Sequence, residues 1–456
     1  MAVAMAAGHG YIPGCDERRR PRLFFFNGVN LMSKVQSIRG MHDILPAQTP
    51  MWRWFEQRLA RVFAAYDFHE IRLPIVEKAE VFTRAIGQAT DVVEKEMYAF
   101  EDRNGDLLSL RPEGTAAVVR SVIQHGLLQT PGLKLWYQGP MFRHERPQRG
   151  RQRQFHQFGA EVFGLESPAT DAELIALGER LWRELGLAGR FRLEINTLGD
   201  RDDRRAYRKK LVDFLQPHRD ELDADSQRRL ETNPLRIFDS KNPKTREIMT
   251  EAPRLIDEVG PEARAHFEQV RGLLDELNIE YRVNPGLVRG LDYYSRTVFE
   301  WITDDLGAQG TVCAGGRYND LVAMLGGNDV PGIGFALGVE RLLALLEADG
   351  VSREQKADIF IVSQVDAGKM LAVAEGLRDG LSGLSIAAAL SGGSMRSQFR
   401  RADRSGARWC VILGEEEFAR GQAALKDLRS DSAQETVELT DLGQKLGELF
   451  AVGSSN

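Results

Sequence analysis

The densest chemistry in this chain is a stretch of arginine. In MFRHERPQRGRQRQFHQFGAEVFG, five arginines (Arg143, Arg146, Arg149, Arg151, Arg153) fall within eleven residues. A guanidinium is always charged and presents paired N–H groups that match phosphate or carboxylate oxygens two at a time. In isolation such a run reads as a solvated basic loop. Here it joins LKLWYQGPMFRHE to RQFHQFGAEVFG, two segments that read as an antiparallel pair of strands. Such a pair would hold the arginines at one end of a sheet and bring Glu161, on the returning strand, close to them.

Two further segments carry polar groups in apolar surroundings. In LVRGLDYYSRTVFE, Gly290 lets the backbone turn, Arg289 supplies a cation, and Tyr293 and Tyr294 are expected on opposite faces of a strand. Strand tyrosines are more often half-buried core residues with a satisfied hydroxyl, so this segment alone is open between core and site. In GIGFALGVERLLALL, Arg341 opens a helix after a glycine-flanked strand, where it could cap the helix or bind phosphate. Other phosphate signatures fail. DAGKM lacks the upstream glycine and the Ser or Thr of a P-loop, and GIGFALG is one residue too long for a dinucleotide fingerprint. The eight histidines show no HExxH spacing, so no built-in metal is expected.

The elements that must position these groups follow from periodicity. Trp52, Phe55, Leu59, Val62 and Phe63 recur at helical spacing, and EIRLPIV reads as a strand broken or edged by Pro74. Asn104-Gly105 between two apolar runs predicts a hairpin. DAELIALGERLWREL reads as a helix and FRLEINTLG as a strand. Residues 200–277 turn charged and helical, and strand signals resume at IEYRV. After the linker VSREQKAD, strands and helices alternate (IFIVSQV, SIAAAL, SMRSQFRRADRSG, RWCVILG), the pattern of a small α/β domain with a largely parallel sheet.

Composition sets the frame. The 456 residues suggest two to three domains, and 43% hydrophobic with 28% charged residues is ordinary for a globular protein. The net charge of −6 excludes a uniformly basic protein but not a local basic surface for nucleic acid. Cys15, Cys313 and Cys410 lie far apart, so a disulfide framework is not expected and a cytoplasmic setting is the default. No apolar run approaches the roughly 20 residues of a membrane helix, so no membrane partner is expected. Residues 1–33 have no clear periodicity. Arg18, Arg19, Arg20 and Arg22 hint at a transit peptide, but Asp16 and Glu17 oppose it. They are read as a disordered extension, with Met32 as the natural start.

Taken together, these motifs resemble the class II aminoacyl-tRNA synthetases, and within them the histidyl-tRNA synthetase family in its bacterial form. RGMHDILP and IRLPIVEKAEVFTRAIG are similar to the family opening and dimer-forming motif 1. RPEGT and FRHERPQRGRQRQFHQFGAE resemble the amino-acid loop and motif 2, and GIGFALGVERL resembles motif 3. LVRGLDYYSRTVFE and GTVCAGGRYNDLV resemble segments peculiar to the histidyl enzymes. GGRYNDL departs from the expected GGRYDGL at Asn319-Asp320, and tuning rather than loss is expected from it.

The resemblance implies an α+β catalytic core on an antiparallel sheet at 34–350, a helical insertion at 200–277 and a C-terminal anticodon-binding α/β domain at 357–456. It implies ligation of L-histidine to tRNA(His) through a histidyl-adenylate. Mg2+ would accompany ATP, with no organic cofactor, and the chain would form a homodimer. By resemblance Arg143 and Arg289 act on the α-phosphate, and Arg143, Arg151 and Arg341 bind ATP. Glu113, Thr115 and Gln157 hold the histidine ammonium, Glu161 and Tyr294 address the imidazole, and Tyr293 lines the pocket. Arg146, Gln148 and Arg153 meet the tRNA acceptor end. Within the C-terminal domain, the helix bearing Arg396, Arg400, Arg401 and Arg404 is a candidate phosphate-facing surface. The rival is a non-catalytic relative acting as a regulatory or tRNA-sensing subunit. Such relatives lose the C-terminal domain or the ATP and histidine residues, all of which this chain retains.

Overall fold

The computed structural model describes residues 34–87, 90–148, 150–307 and 310–453. The extension 1–33, with Cys15, and Arg149 of the arginine-rich loop lie outside the described residues. After helix Thr49–Ala65, β1 (His69–Glu70) and β2 (Val76–Lys78) replace the single strand expected over EIRLPIV. Pro74 falls in the gap, where the carbonyls of Leu73 and Pro74 turn to accept from the Arg111 guanidinium. β3 (Ala99–Glu101) and β4 (Leu107–Leu110) form the expected hairpin, with Gly105 at φ +87° in the turn.

β5 (Leu133–Phe142) and β6 (Gln154–Phe163) pair antiparallel over ten residues each and bracket the arginine loop. β7 (Arg192–Thr197), β8 (Arg282–Val283), β9 (Ser295–Ile302), β10 (Thr311–Arg317) and β11 (Gly332–Gly338) complete an eight-stranded sheet. Its order is β1-β5-β6-β11-β10-β9-β7-β8. The six central strands are antiparallel, and the two short edge strands join parallel. On one face Phe63, Trp136, Phe158 and Phe335 stack in the core with the helices Thr49–Ala65, Pro168–Leu185 and Pro261–Glu276.

Helix ends follow local chemistry. Ser167 caps Pro168–Leu185 by accepting from the Ala169 N–H, and Gly186 ends it in the left-handed region at φ +77°. Asp200 and Asp203 close a reciprocal capping box on Arg201–Leu215, the first helix of the charged region. The last helix there, Pro261–Glu276, packs Phe267, Val270 and Leu274 into the main core.

Residues 351–357 run without regular structure, with the Arg353 guanidinium over the Trp54 ring at 4.8 Å. Beyond them β12 (Ile359–Ser363), β13 (Ile386–Ala388), β14 (Trp409–Leu413), β15 (Gln422–Asp427) and β16 (Glu435–Glu438) form a second sheet, ordered β13-β12-β14-β15-β16. β13, β12 and β14 are parallel, as expected; β15 and β16 add antiparallel, so the sheet is mixed.

Candidate active site

The three polar segments converge on one cavity of about 220 Å³ over the central strands. Arg143 and Arg151 reach it from the β5–β6 connection, Gln157 from β6, Arg289 from the segment before β9, and Arg341 from the helix Val339–Ala348 that follows β11. Glu113, Thr115, Tyr293 and Tyr294 complete the polar wall. Four cations thus surround one small volume, an arrangement suited to a polyanionic ligand with more than one phosphate.

Backbone carbonyls orient two of these arginines, and carboxylates orient the other two. Arg143 Nε donates to the Pro112 carbonyl at 2.9 Å, and its guanidinium lies 5.4 Å over the Phe155 ring. Arg151 pairs with Glu145. Arg341 donates to the carbonyls of Gly150 and Thr311, and burial lowers its basicity, with Arg151 and Arg143 adding repulsion. Arg289 pairs with Glu300 and stacks 5.4 Å over the Tyr294 ring. Burial alone would weaken that cation; the Glu300 carboxylate, Tyr294 and Tyr293 together outweigh it and keep the charge in place.

The carboxylate-bearing side of the cavity is layered. Glu113 accepts from the N–H groups of Thr115 and Ala116 at 2.7 and 2.8 Å, at the N-terminus of helix Thr115–Gln124. Burial raises its carboxyl above the ordinary range. Gln157 Oε1 is buried with no hydrogen-bond partner among the described residues, an acceptor held ready for an N–H donor. Glu161 is fully buried and is not among the residues that line the cavity. Its carboxylate accepts from the Thr115 hydroxyl at 2.7 Å and the Tyr318 hydroxyl at 2.5 Å. Desolvation pushes it up to about 8, against the pull of those two bonds.

One expectation changes. Tyr293 and Tyr294 do not sit on opposite faces of a strand: β9 starts at Ser295, and both rings, 4.7 Å apart, pack into the buried wall from the turn before it. The turn is set by the Arg289–Gly290 segment, whose Gly290 carbonyl is held by Arg236. Of the residues expected at the tRNA acceptor end, Arg146 and Gln148 are exposed on the loop, whereas Arg153 is half-buried, donating to the Glu145 carbonyl and packed on Gly40.

Several participants were not anticipated. Tyr318 and Tyr137 lie in the buried layer, and Thr311, Cys313 and Glu340 line the cavity. Glu340 accepts from the His156 N–H and meets its ring Nδ1 at 2.8 Å, tying the β6 strand to the start of the Arg341 helix. The glycines of GIGFALG carried the missed signal. A Cβ at Gly334 would fall 1.7 Å from Glu161 Oε2, and one at Gly332 2.2 Å from the Tyr318 ring. They clear space for a carboxylate and a phenol rather than for a phosphate. At the unusual Asn319-Asp320 pair, the Asp320 carboxylate meets Arg204 of helix Arg201–Leu215 at 3.4 Å.

No group of three or more acidic, His or Cys side chains fit to hold a metal occurs among the described residues. The carboxylates at the cavity are already engaged: Glu145 with Arg151, Glu340 with His156, Glu300 with Arg289 and Thr311. No described helix is long and apolar enough to cross a membrane.

A largely antiparallel sheet whose arginine-bearing strand pair and arginine-led helix face one cavity defines a class II aminoacyl-tRNA synthetase catalytic domain. A family model described as histidyl-tRNA synthetase matches residues 40–342, and one described as an anticodon binding domain matches residues 358–449. The chain is 55% identical over 408 residues to a histidine--tRNA ligase of Halorhodospira halophila, covering 89% of this chain and 96% of that protein. It is 56% identical over 404 residues to one of Alkalilimnicola ehrlichii, covering 89% and 94%. The crystal structure of apo S. aureus histidyl-tRNA synthetase superposes with a TM-score of 0.77 at 37% identity, over 91% of this chain and all of that one. The chain belongs to the histidyl-tRNA synthetase family.

Proposed function

We infer that the chain ligates L-histidine to tRNA(His): ATP and histidine give histidyl-adenylate and pyrophosphate, and the histidyl group then passes to the tRNA 3′ end with release of AMP. The observation that carries this reading is the convergence of Arg143, Arg151, Arg289 and Arg341 on the cavity that also holds Glu113, Thr115 and Gln157. Attack of a carboxylate on the α-phosphorus brings two anions together and gathers charge on the phosphoryl oxygens. Fixed cations aimed at that charge need no reorganisation during the step.

In this reading Arg143 and Arg289 flank the α-phosphate, and Arg151 and Arg341 hold the outer phosphates and the adenine end. Mg2+ would enter with the nucleotide substrate and offset part of its phosphate charge. Gln157 Oε1, with Glu113 and Thr115, takes the substrate ammonium, and Glu161 and Tyr294 face the imidazole beside Tyr293. A pocket that hydrogen-bonds a polar side chain rejects analogues lacking it by roughly 10⁴-fold or more. Exposed Arg146 and Gln148, with Arg153 at the loop base, would meet the acceptor end. The helix Met395–Arg404 places Arg396 and Arg400 at the surface of the anticodon module. The division into 34–350 with an insertion at 200–277, and 357–456, goes with this reading, as do a homodimer and a cytoplasmic site of action. A regulatory relative is disfavoured because Glu113, Arg143, Glu161, Arg289 and Arg341 are all present.

Non-hydrolysable aminoacyl-sulfamoyl adenosines test it in thermal unfolding. The histidyl compound should raise the midpoint markedly, because it engages both halves of the cavity at once. An equal rise with another aminoacyl group in place of histidyl would contradict the reading.

A further inference from the structure

Tyr318 follows β10 and is absent from the cavity lining, yet it controls a group that is central to the proposed pocket. Its hydroxyl donates to Glu161 Oε2, while Thr115, which does line the cavity, donates to Oε1. Both oxygens of one buried carboxylate are thus claimed by hydroxyls, one from behind the pocket and one from its wall.

The phenol has little freedom to leave. Its ring fills the slot left by Gly332, meets Phe163 edge-on at 6.3 Å and Tyr293 edge-on at 5.8 Å, and its backbone N–H donates to the Gly332 carbonyl. The preceding residue is anchored harder still. Arg317, with no exposed surface, donates through Nε to Asp171 at 2.8 Å and through its two terminal nitrogens to the carbonyls of Leu165 and Ser167, each at 2.9 Å. Opposite, Gly334 pairs in register with Glu161 and has no Cβ to block the carboxylate. Two glycines thus leave room for this hydrogen bond, and a buried ion pair anchors the residue beside it. A buried tyrosine that needed only a partner for its hydroxyl would not require the carboxylate to sit against a backbone stripped of side chain.

We propose that Tyr318 is a positioning residue for amino-acid selection: with Thr115 it fixes the Glu161 carboxylate as an acceptor for a ring N–H of the substrate. The proposal rests on the histidine reading above and extends it to a residue outside the pocket wall. Two hydroxyl donors stabilise the ionised carboxylate against the cost of its burial, and an ionised carboxylate accepts from a ring N–H. Tyr318 can sustain the role because its own hydroxyl stays protonated, raised well above the ordinary phenol range by burial and by Glu161.

Tyr318→Phe tests this, since it keeps the ring, the slot against Gly332 and the Arg317 anchor. Loss of a hydrogen bond to a charged group predicts a rise in KM for histidine of about tenfold or more in ATP–pyrophosphate exchange. KM for ATP should stay within about twofold, because the nucleotide arginines are untouched. The acid limb of kcat/KM for histidine should move to higher pH, since Tyr318 lowers the Glu161 pKa and its removal lets it rise. The other titratable groups facing Glu161 are Glu113, Tyr137, Tyr293 and Tyr294, which are common to both proteins, as is the titration of the substrate itself. A lower melting midpoint with both KM values and the acid limb unmoved would reduce Tyr318 to a core residue and overturn the proposal. So would equal rises in both KM values. Absence of histidine-dependent exchange in the unaltered chain would overturn the histidine reading itself, and the proposal with it.

Discussion

Arg143 and Arg317 close the ends of strands in the same sheet, one just after β5 and the other at the end of β10, and their surroundings are opposite. Arg317 has no exposed surface, and its guanidinium is met by Asp171 and two carbonyls, with His266 Nε2 3.2 Å from the same carboxylate. Arg143 is half-exposed to the cavity, with the Pro112 carbonyl at Nε, the Phe155 ring beneath it, and no carboxylate at ion-pair distance among the described residues. A satisfied arginine holds structure together, whereas one with donors left over in a cavity can meet a ligand's charge. The contrast is one of completeness, not of residue type.

That contrast can be broken from both sides. The largest effect is expected at Arg317→Ala, which strands the buried Asp171 charge; breaking such a pair costs about 3–5 kcal/mol. Denaturant unfolding should show that loss, and a change under about 1 kcal/mol would mean the pair is not the anchor described. Arg143→Ala should behave in reverse. Removing one donor aimed at developing charge lowers the rate by about 10²–10³-fold, so exchange should collapse while the unfolding midpoint barely moves. A destabilised Arg143→Ala protein with normal turnover would invert the comparison.

A smaller effect concerns Glu161, which shares features of both regions: buried like Arg317, yet close to the cavity. Its folded pKa, about 8, lies above its ordinary value of 4.5, so the folded chain binds the extra proton. Stability from this group is therefore full below about 4.5 and declines as pH rises through about 8. Glu161→Gln should flatten the fall in melting midpoint across that window, and an unchanged slope would show that the carboxyl does not titrate there.

The sequence made some of this readable and hid the rest for physical reasons. The arginine loop stood out because charge density and flanking alternation are local, and β5 and β6 followed it. Helix and hairpin signals held for the same reason. The pairing of Tyr293 and Tyr294 was lost because their alternation mimics a strand, while Gly290 and the Arg236 contact set a turn that only tertiary structure reveals. EIRLPIV reads as one strand because apolar β-branched residues mask the break at Pro74, which Arg111 stabilises from far along the chain. The glycines of β11 looked like a failed phosphate loop. Their purpose depends on Tyr318 and Glu161, both on earlier segments and the second far back along the chain, so no local pattern could expose it.

The central claim is that the cavity arginines and the layered carboxylates act together on one amino acid and one nucleotide. ATP–pyrophosphate exchange driven separately by each of the twenty amino acids tests it most directly. Exchange with histidine alone is the predicted result. Exchange with a different amino acid, or with none, would contradict it.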